Sequence, residues 1–240
     1  MFRFQPVYRF QPLKHAECPT EEGPKMFFLD EFGKVYKTSF YFWYLEGGGR
    51  RILVDAGVNL EEGRGYMPTL VQEPGWRPER RLQALGVEPS SIDAVVVTHL
   101  HFDHLSSTID LFPRARIFLQ RRELETALRP QHPWLAAFYA KSVVDRLRSG
   151  DFRRRLEIVD GDAEVLPGVK VLLTGGHTPG HQSVLFDGMD GPVCLAGDVA
   201  LFYRHLRERK PLGVFWNIAE VLCALDRLAE MAAGAPGRPP

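Results

Sequence analysis

Apolar residues come in short bursts along this chain, and the bursts differ in period. Phe40-Tyr41-Phe42-Trp43-Tyr44-Leu45 is an aromatic run, Gly47-Gly48-Gly49 a turn, and Arg51-Ile52-Leu53-Val54-Asp55 the return. Aromatic and β-branched residues bounded by glycine predict two strands. Ile92-Asp93-Ala94-Val95-Val96-Val97 is a β-branched run that reads as a buried strand. Further strands are predicted at Ala115–Leu119, Gly168–Leu173, Ser183–Phe186 and Val193–Ala196. Helical spacing appears at Pro78–Leu85, stopped by Gly86, and again at Arg121–Leu128 and Trp134–Leu147. The last helix is Ile218–Met231, with Ile218, Val221, Leu222, Leu225 and Leu228 on one face. Residues 60–76 are rich in Gly and Pro and read as a long loop, a type that is often functional. The strands fall into two groups, each with helices, and no repeat or linker divides them. The expectation is one α/β domain over residues 1–240, with 1–39 an N-terminal extension and 233–240 an unpacked tail.

Composition narrows the function classes. Lys+Arg and Asp+Glu are 30 each, so the formal net charge is zero and no basic excess points to nucleic acid or an anionic membrane. The N-terminal stretch MFRFQPVYRFQPLKH has no continuous apolar core of a signal peptide, and no run reaches membrane-spanning length. Cys18, Cys194 and Cys223 are odd in number and far apart, which suggests reduced thiols in a cytoplasmic protein. Cys194 lies in the apolar run Pro192–Ala196 and is expected to be buried.

The chemistry concentrates in Thr98-His99-Leu100-His101-Phe102-Asp103-His104, directly after the run ending at Val97. Three imidazoles and a carboxylate within six positions are ligand types that suit zinc or a similar first-row metal. Residues two apart point to nearly opposite faces of a helix, so His99 and His101 converge only from a strand end or loop. A solvated, histidine-rich loop is the plainer alternative. Gly175-Gly176-His177-Thr178-Pro179-Gly180-His181 is a tight turn after a strand, and Leu195-Ala196-Gly197-Asp198 presents a carboxylate the same way. Taken alone, His177 would be structural and Asp198 a helix cap. Beside the first cluster both read as ligands, because three imidazoles around one ion make a common catalytic zinc site.

These elements together resemble the metallo-β-lactamase-fold hydrolases. The order is D-x-G at Asp55-Ala56-Gly57, then H-x-H-x-D-H, a G-H turn and G-D, and it covers roughly Phe40 to Leu228. The resemblance implies a four-layer αββα sandwich with two metals at one edge between the sheets. It assigns His99, His101 and His177 to one zinc ion and Asp103 and His104 to a second. Asp198 would bridge both, and Asp55 would orient a ligand. His177-Thr-Pro-Gly-His-Gln-Ser183 is most similar to the N-acyl-homoserine lactonase branch, although H-T-P-G-H also occurs in glyoxalase-II-like thioester hydrolases.

Two departures matter. The family supplies another histidine from a G-H pair after the last helix, and this chain ends at Pro239-Pro240, where that final strand would begin. The chain is then either truncated, or its second site is completed differently. His205, in an Arg-rich flank, is expected on an exposed helix instead. The lactonases also place a tyrosine three positions after the bridging Asp, where this chain has Leu201, with Tyr203 two further on.

The implied reaction is attack of a metal-activated hydroxide on a lactone carbonyl. Asp103 would ligate metal and relay a proton, and Tyr203 would polarise the carbonyl. Phe27, Phe28, Phe32, Tyr66, Met67 and Trp76 are candidates for an acyl groove, with core packing as the alternative. A small-molecule substrate is expected, without nucleic acid or membrane, and a homodimer is compatible with all of this. Competing readings are a thioesterase of the fold and a metal-poor scaffold. A diiron oxidoreductase would carry Glu at His101 and a flavin domain, and a nuclease would carry a large insertion and a basic groove.

Overall fold

The computed structural model describes residues 5–234. The expected tail from 235 onward and the first four residues lie outside the described part. Among the described residues ten strands form two sheets. The first, in spatial order, holds β1 (Arg9–Glu22), β2 (Val35–Gly47), β3 (Arg50–Val54), β4 (Ala94–Val96), β5 (Arg116–Gln120) and β6 (Leu156–Val159). The second, again in spatial order, holds β10 (Gly191–Leu195), β9 (Gln182–Gly188), β8 (Val169–Leu173) and β7 (Ala163–Leu166). β1, β2 and β3 pair antiparallel, and β3 through β6 pair parallel.

Alternation along β3 shows how the layers stack. Ile52 and Val54 pack with Val96, Phe118, Val171, Val184 and Phe186 between the two sheets. Leu53 points the other way, with Val95, Ile117 and Leu119, against Leu82, Ala127, Val143 and Leu147. These last come from α3 (Pro78–Gln83), α4 (Arg121–Leu128) and α5 (Lys141–Arg148). A strand buried on both faces loses its polar alternation, which is why β3 and β4 read as continuous apolar runs. On the far side, α8 (Ile218–Ala233) lays Val221, Leu225 and Leu228 over Leu172 of β8. The result is an αββα sandwich, as expected.

Several elements differ from expectation. Residues 9–22 are the edge strand of the larger sheet, paired with β2 through a register shift at His15. The long loop contains α2 (Leu60–Arg64), whose N-cap Asn59 accepts from the Glu61 and Glu62 amides. Between β1 and β2 lies a one-turn helix, α1 (Gly23–Met26). The helix expected over Trp134–Leu147 is broken. A 3₁₀ turn spans Pro133–Ala136, and α5 begins at Lys141. In between, the Phe102 amide donates to Phe138 O and His101 bridges to Tyr139, which pulls the backbone out of helix. α6 (Gly150–Arg153), β6 and β7 were not foreseen, whereas α7 (Tyr203–Glu208) is the helix expected around His205. Cys194 is exposed, not buried, because Leu195 takes the inward position of β10 and Cys194 the outward one. Among the described residues no helix is long and apolar enough to cross a membrane.

Candidate metal centre

The sequence-predicted ligands gather where four strands end. Thr98 to His104 follow β4, Asp55 follows β3, His177 follows β8 and Asp198 follows β10. Gln182, the first residue of β9, ties the sheets together there. Its amide donates to Thr98 O at 2.9 Å and its side chain to Val97 O at 2.7 Å.

Two ligand groups form. The imidazoles of His99, His101 and His177 bring one nitrogen each within 4.8 Å of one another, and His99, His104 and Asp198 do the same. His177 Nε2 lies 2.9 Å from His101 Nδ1 and 3.4 Å from Asp198 Oδ2. His104 Nε2 lies 3.3 Å from Asp198 Oδ1 and 3.4 Å from Asp103 Oδ2. His99, His101, Asp103, His104, His177 and Asp198 are therefore brought together, with Asp198 facing both groups.

The far sides of the His99, His104 and His177 rings explain which nitrogen each presents. Asp55 can only accept, so the Thr98 hydroxyl donates to it at 2.9 Å and in turn accepts from His99 Nδ1 at 3.1 Å. His104 Nδ1 donates to Asp55 Oδ2 at 2.7 Å. His177 Nδ1 donates to the Val214 carbonyl at 2.8 Å. Each tie leaves Nε2 as a lone pair facing the cluster. Asp55 does this from a left-handed backbone, φ 62°, which turns its carboxylate under both the Thr98 amide and His104.

His99 Nε2 supplies the test of fit. It is fully buried and has no hydrogen-bond partner among the described residues, a costly state for a polar atom unless a cation shares it. Neutral imidazoles and ionised carboxylates around it are the donor set of a divalent first-row metal.

Electrostatics agree. Burial, reinforced by neighbouring imidazoles, pushes His99 well below the usual histidine range. Burial drives His101 down to about 3. For Asp103 and Asp198 burial acts upward, but His104 beside them outweighs it and keeps both carboxyls low. Burial would lower His104 as well, yet Asp198, Asp103 and Asp55 together raise it well above its ordinary value. A cation would displace that proton.

Other expected residues land elsewhere. Tyr203 opens α7, is 74% exposed as a residue, and makes no hydrogen bond or ring contact with the cluster among the described residues. His205 is buried, not exposed. Its ring stacks on Phe27 at 4.8 Å and Phe202 at 5.7 Å, and Nδ1 donates to Lys210 O. The inner face of α7 packs on the segment after α1, which overrides the Arg-rich flank. The six aromatic-groove candidates do not share one contact cluster. Phe27 joins His205, Phe28 meets Phe215 at 5.0 Å, and Phe32 is exposed. Tyr66 stacks on Phe102 at 4.9 Å, half-buried Met67 packs against the helix-side core, and Trp76 faces the Lys14 ammonium.

Some contributors carry no sequence role. His181 accepts the Asp198 amide on Nε2 at 3.0 Å and engages Thr174 on Nδ1, which fixes the bridging carboxylate's loop. Gly197 has φ 61°, and a Cβ there would meet His181 Nε2 at 2.5 Å, so this turn needs glycine. The second histidine of H-T-P-G-H was the available signal. Phe138 and Tyr139 place their rings 5.7 and 5.8 Å from His101, and exposed Trp134 leans on Phe138 at 6.2 Å.

Comparison with known proteins follows the same lines. A model of the metallo-beta-lactamase superfamily matches residues 39–232. An N-acyl homoserine lactonase from a Bacillus species is 31% identical over 213 residues, covering 83% of this chain and 78% of the relative. One from Bacillus thuringiensis is 30% identical over the same shares. The crystal structure of a quorum-quenching N-acyl homoserine lactone lactonase superposes with a TM-score of 0.78 at 25% identity, covering 97% of this chain and 90% of the other. Sequence motifs, layered sheets and converging ligands point the same way, and the chain belongs to the metallo-beta-lactamase superfamily.

Proposed function

We propose that this protein is a metal-dependent hydrolase that opens the ring ester of N-acyl-homoserine-lactone-like substrates. The observation that carries the metal reading is the convergence of imidazole nitrogens, with the outer nitrogens of His99, His104 and His177 tied and His99 Nε2 buried and unpartnered among the described residues. The substrate class follows the lactonase relatives at 30 and 31% identity.

His99, His101, His177 and Asp198 would hold one zinc ion, and Asp103, His104 and Asp198 a second. Bound zinc supplies a Lewis acid for the carbonyl and makes water acidic enough to act as a nucleophile near neutral pH. The chain's own part is positional. Asp55 and Val214 O fix the imidazole tautomers. Asp103, ionised at the cluster's edge, receives the proton of the attacking water and returns it to the alkoxide released when the ring C–O bond breaks. Tyr203, turned to solvent, is the weaker candidate for a contact with the carbonyl. The three free thiols fit a reducing compartment such as the cytoplasm.

The test is metal analysis joined to a substrate panel of N-acyl-homoserine lactones, thioesters and β-lactams. Near two zinc ions per chain with preferred lactone turnover is expected. Preferred thioester turnover would move the assignment to a thioesterase, and near-zero metal uptake would make the chain a scaffold.

A further inference from the structure

The ligands come from separate loops, and Glu123 joins two of them. It lies in the first turn of α4 and is fully buried. Its Oε1 accepts the Leu100 amide at 2.9 Å. Its Oε2 accepts the Thr178 hydroxyl at 2.8 Å and the Gly180 amide at 2.9 Å. Leu100 is the residue between His99 and His101, and Thr178 directly follows His177. One carboxylate therefore holds the backbone on both sides of the three-histidine group. The approach is close, since a Cβ on Gly180 would meet the Glu123 amide nitrogen at 2.2 Å.

Burying a carboxylate is costly, and three directed donors offset that cost. The fold has a separate tie at the same junction. Gln182 bonds Val97 O and Thr98 O, and Gln120 donates to Gln182 Oε1 at 2.9 Å. The sheets are thus joined at the strand ends without Glu123. What Glu123 adds lies further out, at the ligand positions.

We propose that Glu123 is a positioning residue of the metal centre. It sets the spacing of His99 and His101 against His177 and thereby the zinc affinity of that group. This rests on the reading that these three histidines hold an ion. The chemistry demands a carboxylate. Each oxygen faces a backbone N–H, so a Gln amide nitrogen would oppose one of them, and Glu123→Gln can satisfy one loop but not both.

The experiment measures zinc affinity by chelator competition, alongside metal-free thermal midpoints, for the wild type, Glu123→Gln and Leu225→Ala. Leu225 lies on the buried face of α8, makes none of the hydrogen bonds through which Glu123 holds the two loops, and serves as a control for stability loss alone. Glu123→Gln is expected to weaken zinc binding by about 10-fold or more, the usual cost of losing a partner behind a metal ligand. Leu225→Ala is expected to lower the midpoint and keep wild-type affinity. Zinc affinity of Glu123→Gln within twofold of wild type overturns the proposal, as does an equal loss in the control. A wild-type chain that takes up no zinc removes the ligand reading, and this inference with it. Should Glu123→Gln fail to fold, Thr178→Val deletes only the hydroxyl donor. A loss of about threefold is then expected, and unchanged affinity overturns the proposal.

Discussion

Asp55 Oδ2 and His104 Nδ1 lie 2.7 Å apart, and the same carboxylate holds the Thr98 amide at 2.7 Å. One side chain thus orients His104 directly and His99 through the Thr98 hydroxyl. Asn tolerates the left-handed backbone at this position, so Asp55→Asn keeps the turn and removes the carboxylate. Zinc affinity should fall by roughly 10- to 100-fold, with the His104 site hit harder. Zinc per chain, measured after dialysis against graded chelator, checks this.

His101→Ala removes one of three converging imidazoles and should abolish tight zinc binding and turnover together. Asp103→Ala should also abolish turnover, a loss of at least about 100-fold in kcat, the lower range for a lost general acid–base. A double variant that hydrolysed lactones at the wild-type rate would refute both roles.

The metal-free protein should lose stability as pH falls below 6.5. His15 and His101 are buried neutral, with burial driving both down to about 3. A folded-state pKa below the unfolded one contributes stability that is complete above 6.5 and is lost as pH falls toward 3, because the unfolded chain binds the proton first. His104 is raised, so its contribution has the opposite sign and fades as pH rises through its folded pKa. Thermal melts of the metal-free protein from pH 8 to 4 should show a falling midpoint on the acid side. A flat profile would contradict the buried neutral imidazoles.

Much of this was legible beforehand. β3 and β4 are buried on both faces, so their composition announces them. The ligands are legible because H-x-H-x-D-H packs donors of one chemistry into one loop. β1 was not, because much of its length faces solvent and its alternation is mostly polar. The break at 137–140 depends on a long-range bond from Phe102 to Phe138, which helical spacing at Trp134–Leu147 cannot show. Glu123 and Val214 O had no motif either. One is a helix residue like any other, and the other acts through its backbone carbonyl.

Phe138 stands exposed beside His101, and exposed Trp134 leans on it and extends that apolar surface outward from the cluster. Trp134→Ala should reduce kcat/KM for decanoyl more than for butanoyl substrates, by about five- to tenfold, the equivalent of roughly 1 kcal/mol of aromatic contact. Equal losses at both chain lengths would show that the ring does not touch the acyl chain.

Tyr203→Phe should leave kcat/KM within about twofold, as expected for a surface substitution remote from special features. A loss of 100-fold would return the hydroxyl to the reaction.

Gln182 fastens the two sheets at the base of the site, and an ion above it would fasten them again at the top. His101 and His177 are 76 residues apart, so a shared ion closes a long loop of chain, much as a covalent crosslink does. Metal would then do more than chemistry. It would stabilise the closed native loop by mass action, and chelation would withdraw that stabilisation before any strand has parted.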